Sequence, residues 1–454
     1  MKKLLLLLCI TSLFTVQAQC WEKISAGGGH TLAIKNDGTL WGWGHNGYGQ
    51  VGDGTNENAY APVQIGTDTD WQSVSAGGQS SAAIKNNGTL WTWGDNEYHQ
   101  LGDGTTTDST MPHQMGTATN WASVSCGMVH VLALKNNGTL WAWGDNSSGQ
   151  LGNGNGNETT AIVQVTTAAN WQFIDAGYMH NSAIRTDGTL WVWGRNQDNQ
   201  MGSGFPAGGY LATPSRFGTD ANWQSVSGGA ESTVAIKTDG TLWGWGTNTN
   251  GQLGNGTHSY RGVATQSGTD NNWLAVSSGI GTFTLGLKQD GSVWGWGSNG
   301  YGQVGDGTNQ SRSVPTRILS DETYQFIDAG GYYATAITRS DNVYTWGENN
   351  AGGLGNEPLP DGPGPNIVSC GTTAGLGTPS AQSIVLYPNP VKDILYIDAK
   401  GVAINTILIT DVTGKTIMSQ NNTSQIELQQ LPAGMYFVKI ISRQNSYQDK
   451  FIKQ

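Results

Sequence analysis

Residues 138–144 read Gly-Thr-Leu-Trp-Ala-Trp-Gly, and this phrase decides the fold because it returns. Its Trp-x-Trp-Gly core recurs at Trp41–Gly44, Trp91–Gly94, Trp141–Gly144, Trp191–Gly194, Trp243–Gly246 and Trp294–Gly297, and weakened at Tyr344–Gly347. Successive starts lie 50, 50, 50, 52, 51 and 50 residues apart. A fixed period of this length marks an array of repeated folding units. All 19 Trp occupy repeated slots, counting the repeat openings at Trp21, Trp71, Trp121, Trp171, Trp223 and Trp273, where Tyr324 stands in the seventh copy. No Trp is left over for a private site, so these rings are expected to pack between units.

Within the second copy, Trp71–Ala76 alternates as a strand, Ser81–Lys85 follows, and Asn87-Gly88 leads into Leu90–Trp93. Apolar runs joined through Asn-Gly or Asp-Gly signal a hairpin, because Gly accepts the positive φ of a tight turn. The dipeptide recurs at Asp37-Gly38, Asn137-Gly138, Asp187-Gly188, Asp239-Gly240 and Asp290-Gly291; the last copy has Ser340-Asp341. Pro112–Met115 reads as a fourth, edge strand, where a missing N–H costs no ladder bond. Four short strands repeated seven times predict an all-β, seven-bladed β-propeller.

The phrase Val124-x-Cys-Gly-x-x-His130-x-x-Ala-Leu-Lys135-x-x-Gly138-x-Leu-Trp-x-Trp-Gly144-x-Asn-x-x-Gly-Gln-Leu-Gly152 resembles the RCC1 (regulator of chromosome condensation) repeat family over residues 20–371. The resemblance implies a seven-bladed propeller. Nuclear members of that family act as nucleotide exchange factors on a small GTPase and bind chromatin. Residues 20–371 carry 13 basic and 28 acidic residues, a balance of −15. Nucleic-acid binding needs a basic surface, so neither nucleic acid nor a small GTPase is expected as partner.

The ends carry address labels. Residues 1–19 have two lysines, an apolar run and a small-residue Val16-Gln-Ala18 step, the pattern of a secretory signal peptide. Residues 372–383 form a polar linker, after which Trp and the 50-residue period disappear. Residues 384–454, with Leu386-Tyr-Pro-Asn-Pro390 and Leu431-Pro-Ala-Gly-Met-Tyr436, read as a small β-sandwich. They resemble the C-terminal sorting domain of the type IX secretion system, which implies handling by that machinery and a secreted or outer-membrane-surface address.

Aligning the repeats places Cys20 in the slot of Asp70 and, with Pro365 on Pro62, Cys370 in the slot of Thr67. These slots are three residues apart on one loop, within ~7 Å in a turn. A closed ring cuts that loop, so a Cys20–Cys370 disulfide is expected to clasp it; the compartment permits one. Cys126 falls on a slot of Ala and Gly and reads as a buried small residue.

No catalytic, metal or cofactor signature is present: no P-loop ending, no His-Glu-x-x-His, no Cys-x-x-Cys. His30, His130 and His180 share a slot with Phe283 and Tyr333, which reads as structural. Asp53, Asp103 and Asp306 fall in Gly-x-Gly turns, which turn chemistry explains, with calcium as the alternative. Lys35, Lys85, Lys135, Arg185, Lys237 and Lys288 are expected as solvated strand ends. Function is then expected in loops that differ between copies. One set follows the Ala-Gly step and holds Gln79, Met128, Tyr178, Met179, Glu231, Tyr332 and Tyr333; another follows Trp-Gly and holds Tyr48, Tyr98, Ser148, Asp198, Asn250, Tyr301 and Ala351. The reading is a non-enzymatic binding or scaffold protein whose loops engage a protein or glycan. The alternatives are an extracellular hydrolase or lyase, or a secreted protein inhibitor.

Overall fold

The computed structural model describes residues 20–157, 159–202, 208–356, 361–368, 385–387, 391–398, 404–410, 416–421, 423–432, 434–441 and 446–453. The expected signal peptide, the linker and Cys370 lie outside these residues. The chain divides into two compact units, residues 1–370 and 371–454.

The first unit holds seven four-stranded antiparallel sheets, each built from consecutive strands. Blade 1 comprises Trp21–Ala26, His30–Lys35, Leu40–Gly44 and Ala59–Gln64. Blade 7 comprises Tyr324–Ala329, Tyr333–Thr338, Val343–Gly347 and Gly362–Val368. The propeller is therefore as the repeats predict. The hairpin between the second and third strands differs from a two-residue turn. Gly88 N–H donates to the Lys85 carbonyl and Lys85 N–H to the Thr89 carbonyl. Only Gly88 has positive φ (76°), the pattern of a type I turn closed by a left-handed residue. In blade 7, which lacks the glycine, Asp341 takes that conformation with φ 58°.

The second strands are buried on both faces, as His30–Lys35 shows. Each presents one face to its own blade and one to the next. Leu32, Ile34, Leu40 and Ile65 of blade 1 form one cluster with Trp71, Ala76, Ala83 and Trp93 of blade 2. The second Trp of every motif is fully buried, and its indole N–H finds a carbonyl of the preceding blade. Trp93 Nε1 donates to Gln50 O at 2.9 Å, Trp143 to Gln100 O at 2.9 Å, and Trp245 to Gln200 O at 2.8 Å. A buried N–H left without an acceptor costs about 1–3 kcal/mol, so this bond fixes the blade-to-blade register.

The ring closes by the same contacts, without exchange of a strand among the described residues. Cys20, Trp21, Ile24, Ala33 and Trp43 pack with Ile337, Val343 and Val368. Trp43 Nε1 donates to Gly353 O at 3.0 Å. Cys20 is disulfide-bonded, and Cys126 is a free, buried thiol, pushed up to about 12 by burial.

The strand-end cations are not solvated, which corrects the expectation from sequence. Lys35 Nζ lies 3.5 Å from the ring centre of Trp41 and 5.0 Å from that of Trp21. Lys85, Lys237, Lys288 and Arg185 are likewise held between the first two Trp of their repeats. A desolvated cation–π contact contributes about 2 kcal/mol. Asp68, Asp220 and Asp270 add ion pairs to Lys85, Lys237 and Lys288.

Among its described residues the second unit has two antiparallel sheets. One orders Val385–Tyr387, Ile394–Asp398 and Gln425–Glu427; the other orders Thr416–Asn421, Thr406–Thr410, Gly434–Ile441 and Ser446–Lys453. Alternate residues Leu395 and Ile397, Ile407 and Ile409, and Val438 and Ile440 share one core, as period-two burial requires.

Candidate functional site

The first strand of each blade faces the axis, and the residue before each Ala-Gly step ties two blades together. Ala76 N–H donates to Ser25 Oγ at 3.1 Å, Cys126 N–H to Ser75 at 3.0 Å, and Ala176 N–H to Ser125 at 2.9 Å. Gly228 N–H donates to Asp175 at 2.7 Å, Ser278 N–H to Ser227 at 3.0 Å, Ala329 N–H to Ser277 at 3.0 Å, and Ala26 N–H to Asp328 at 2.9 Å. Seven acceptors thus make an unbroken circle around an axial cavity of about 140 Å³. Five are serines and two are carboxyls. Burial pushes Asp175 up to about 7, helped by Asp328 and opposed by its bond from Gly228. Burial raises Asp328 as well, against donors from Ala26, Ser277, Ser25 and Ala329. Both acids occur in the phrase Phe-Ile-Asp-Ala-Gly, at 173–177 and 326–330. That shared departure from Ser is the signal in the sequence that marks them.

Behind this circle lie the shared-slot histidines, all fully buried. His30 Nε2 is 2.9 Å from Ser81 Oγ, and that hydroxyl donates to Gln50 O at 2.7 Å. The hydroxyl proton being used, Ser81 accepts from His30 Nε2–H. The same logic holds for His180 with Thr233, which donates to Gln200 O. His130 donates to Asn181 Oδ1, the amide nitrogen of which donates to Gln150 O. All three rings are neutral Nε2–H tautomers with Nδ1 lacking a partner. Burial lowers His30 and His180 to about 3 and lowers His130. These are blade-to-blade struts.

The Gly-x-Gly turns use a side-chain amide as their hub. Asn46 Nδ2 sits 3.1 Å from Asp53 Oδ1 and 3.0 Å from the carbonyls of Thr55 and Glu57. Asn96, Asn146, Asn248 and Asn299 repeat this. The oxygens that suggested calcium converge on an amide nitrogen, which takes the position a cation would need.

The loops after Ala-Gly and after Trp-Gly share one face: His45 N–H donates to Gly29 O at 2.9 Å, and Glu348 N–H to Tyr332 O at 3.0 Å. Of the seven residues singled out in sequence, Tyr332 is exposed (44 %). Gln79, Met128, Tyr178, Met179 and Glu231 are half-buried. Tyr333 is buried, which removes it from the exposed set. It opens a strand, and its hydroxyl donates to His30 O and accepts from Thr31 Oγ1. A depression of about 280 Å³ brings together Gln79, Met128 and Tyr333 with His45, Ile280 and Glu348. Tyr178, Met179 and Glu231 are not part of it. Tyr48, Tyr98 and Tyr301 are each 38 % exposed, and Tyr301 and Tyr332 stand 5.4 Å apart between ring centres. These tyrosines come from blades 6, 7, 1 and 2, which are neighbours across the closure. The matching loops of blades 3, 4 and 5 carry Ser148, Asp198 and Asn250.

Comparison with known proteins agrees with this architecture. The RCC1-like domain family matches residues 109–370. The regulator of chromosome condensation repeat matches 37–84, and in a second description 21–50 and 71–100. The secretion system C-terminal sorting domain matches 385–454. The RCC1 domain-containing protein RUG3, mitochondrial, of Arabidopsis thaliana is 32 % identical over 158 residues, 34 % of this chain and 36 % of its own. The ultraviolet-B receptor UVR8 of the same plant is 28 % identical over 170 residues, 37 % of this chain and 39 % of its own. The matched stretch thus spans well under half of either relative. Human WBSCR16 superposes with a TM-score of 0.65 at 23 % identity, covering 73 % of this chain and 94 % of that one. Prp20p of Saccharomyces cerevisiae gives 0.63 at 23 %, covering 71 % and 84 %; at this identity the likeness is one of fold. The chain belongs to the RCC1-like domain family, its propeller followed by a secretion system C-terminal sorting domain.

Proposed function

We propose that the protein is a non-enzymatic binding module, exported through a signal peptide at residues 1–19 and a type IX sorting domain at 384–454, that works at or beyond the outer membrane surface. The observation that supports a binding role is the run of exposed Tyr48, Tyr98, Tyr301 and Tyr332 on four adjacent blades of one face. Aromatic rings of this kind present much contact area for little ordering entropy, and they are enriched where proteins bind partners. The family relative Prp20p is described as binding Gsp1p and histones. With a balance of −15 over residues 20–371, neither a nucleic acid nor a small GTPase is proposed for this chain.

The test is capture of secretome proteins and polysaccharides on the immobilised chain, with Tyr301→Ala/Tyr332→Ala as comparison. Loss of the captured partner in the variant supports the face; undiminished capture moves the function elsewhere. Deleting residues 384–454 is expected to hold the protein in the periplasm.

A further inference from the structure

The tyrosine arc also carries acidic side chains, Glu97 and Glu348. The 280 Å³ depression is walled by Met128, Ile280 and Tyr333, with Glu348 and His45 on its margin and no Lys or Arg among its described lining residues; the Tyr48 ring stands 6.3 Å from that of His45. Glu348 is held in place from both ends. Its backbone N–H donates to Tyr332 O at 3.0 Å, and Asn350 Nδ2 donates to its Oε1 at 2.8 Å. Burial raises its carboxyl above the usual range, with Asp361 adding to the effect. On blade 2, Glu97 neighbours Tyr98, and both are exposed. Arg312 of blade 6 is paired with Asp306. The depression thus offers a carboxylate beside apolar side chains, near aromatic rings, with no Lys or Arg among its described lining residues.

That combination fits one kind of side chain. Lysine and arginine bury an aliphatic stem against apolar surface while the charged head stays at the mouth. Aromatic faces attract the same head. We infer that this depression receives a lysine or arginine side chain of a polypeptide partner, with the stem against Met128 and Ile280 and the charge on Glu348. Tyr301 and Tyr332 pack on the residues flanking it. The inference rests on the binding-face reading above and adds the chemistry of the partner.

The test uses the full chain and three probes of matched size: an octalysine peptide, an octaglutamate peptide and a neutral glucan octasaccharide. Binding is measured by calorimetry at 50 and 150 mM salt. Octalysine is expected to bind and the other two not to. Glu348→Gln is expected to weaken octalysine binding by about tenfold, a difference of about 1.4 kcal/mol. Glu231→Gln removes the same charge from blade 5, two blades from Glu348 and outside the depression's lining, and is expected to change binding by less than about twofold. Tyr332→Ala serves as a second variant that leaves Glu348 in place and is expected to weaken binding several-fold. Equal losses from Glu348→Gln and Glu231→Gln would mean general attraction to an acidic protein and would overturn the inference. So would binding of the glucan in place of octalysine. If octalysine fails while the Tyr301/Tyr332 variant still loses its captured partner, the cation site falls and the binding face stands. If both fail, both readings fall.

Discussion

Ala26 N–H donates to the Asp328 carboxylate at 2.9 Å, joining the first repeat to the last. Ser25 Oγ donates to the same carboxylate at 3.3 Å. At the other six junctions one side chain accepts one N–H in this way. Asp328 thus does at the closure what Ser does at five junctions and Asp175 at the sixth, with one more donor from the incoming strand. Asp328→Ala leaves the Ala26 N–H without its acceptor and is expected to cost about 1–3 kcal/mol. Asp328→Ser restores the acceptor found at five other junctions and is expected to lose less. Urea unfolding of the two variants at pH 6 measures the difference, and equal midpoints would sink the latch.

Asp175 is the counterpart in the middle of the ring, and its effect depends on pH. Its folded pKa of about 7 lies above the unfolded value near 3.9. Below about 4 both states hold the proton and nothing is lost. As pH rises from 4 to 7 the unfolded chain releases the proton first, so stability falls across that window. Above 7 both states are ionised and the loss is complete. Asp175→Ser is expected to stabilise the protein at pH 8 and to change it little at pH 4. A variant equally stable at both values contradicts the assignment.

The buried histidines act in the opposite direction. His30 and His180 have folded values of about 3 against about 6.5 unfolded. Above 6.5 both states are neutral and their contribution is whole. As pH falls below 6.5 the unfolded chain takes up protons that the folded chain refuses, and stability drops by up to about 1.4 kcal/mol per pH unit for each ring. His30→Ser, which adopts the residue of blades 2 and 5, is expected to reduce the slope of unfolding free energy between pH 6.5 and 5 by about one proton. Imidazole nitrogen shifts are expected to show the Nε2–H form at pH 5 for His30 and His180.

The period made the propeller legible, because each unit must bury the same face against the next copy. What the period did not disclose is which neighbour in a pair points inward. Tyr332 and Tyr333 are adjacent and look equivalent. The strand begins at 333, and that one-residue boundary turns Tyr333 into the junction and leaves Tyr332 outside. Lys35 and Lys85 misled for a related reason. A cation at a strand end normally reaches water, yet here the two Trp of the same repeat close over it from both sides. Asp175 was hidden because it is a departure from a slot that is mostly Ser, and the slot's role became visible only when the blades were closed into a ring.

The two tyrosines give a paired prediction. Tyr333→Phe keeps the ring and removes a hydroxyl that bonds His30 O and Thr31, which is expected to cost about 1–2 kcal/mol. Tyr333→Ala also opens a cavity and is expected to cost about 3–5 kcal/mol. Tyr332→Ala is expected to stay within about 0.5 kcal/mol of the parent while weakening partner capture. Thermal unfolding separates them. A Tyr332 variant as unstable as the Tyr333 one would place both rings in the scaffold.

Closure is also where covalent chemistry is expected to matter. Cys20 is disulfide-bonded and packs in one cluster with Val343 and Val368 of blade 7. Val368 pairs with Val343 at the end of the last described strand of the propeller. Cys370 follows two residues later, and we propose it as the partner. Cys126 is free. The two ends of the ring have no exchanged strand among the described residues, so this junction depends on side-chain packing and a few hydrogen bonds. A cross-link over so long a loop is expected to stabilise by about 2–5 kcal/mol. Peptide mapping without reductant is expected to recover a Cys20–Cys370 pair. Mild reduction, or Cys20→Ser, is expected to lower the unfolding midpoint and to raise hydrogen exchange first in Trp21–Ala26 and Val343–Gly347. Recovery of Cys20 linked to any other cysteine would refute the clasp. An unchanged midpoint after complete reduction would show that packing of Trp21 and Trp43 holds the ring alone.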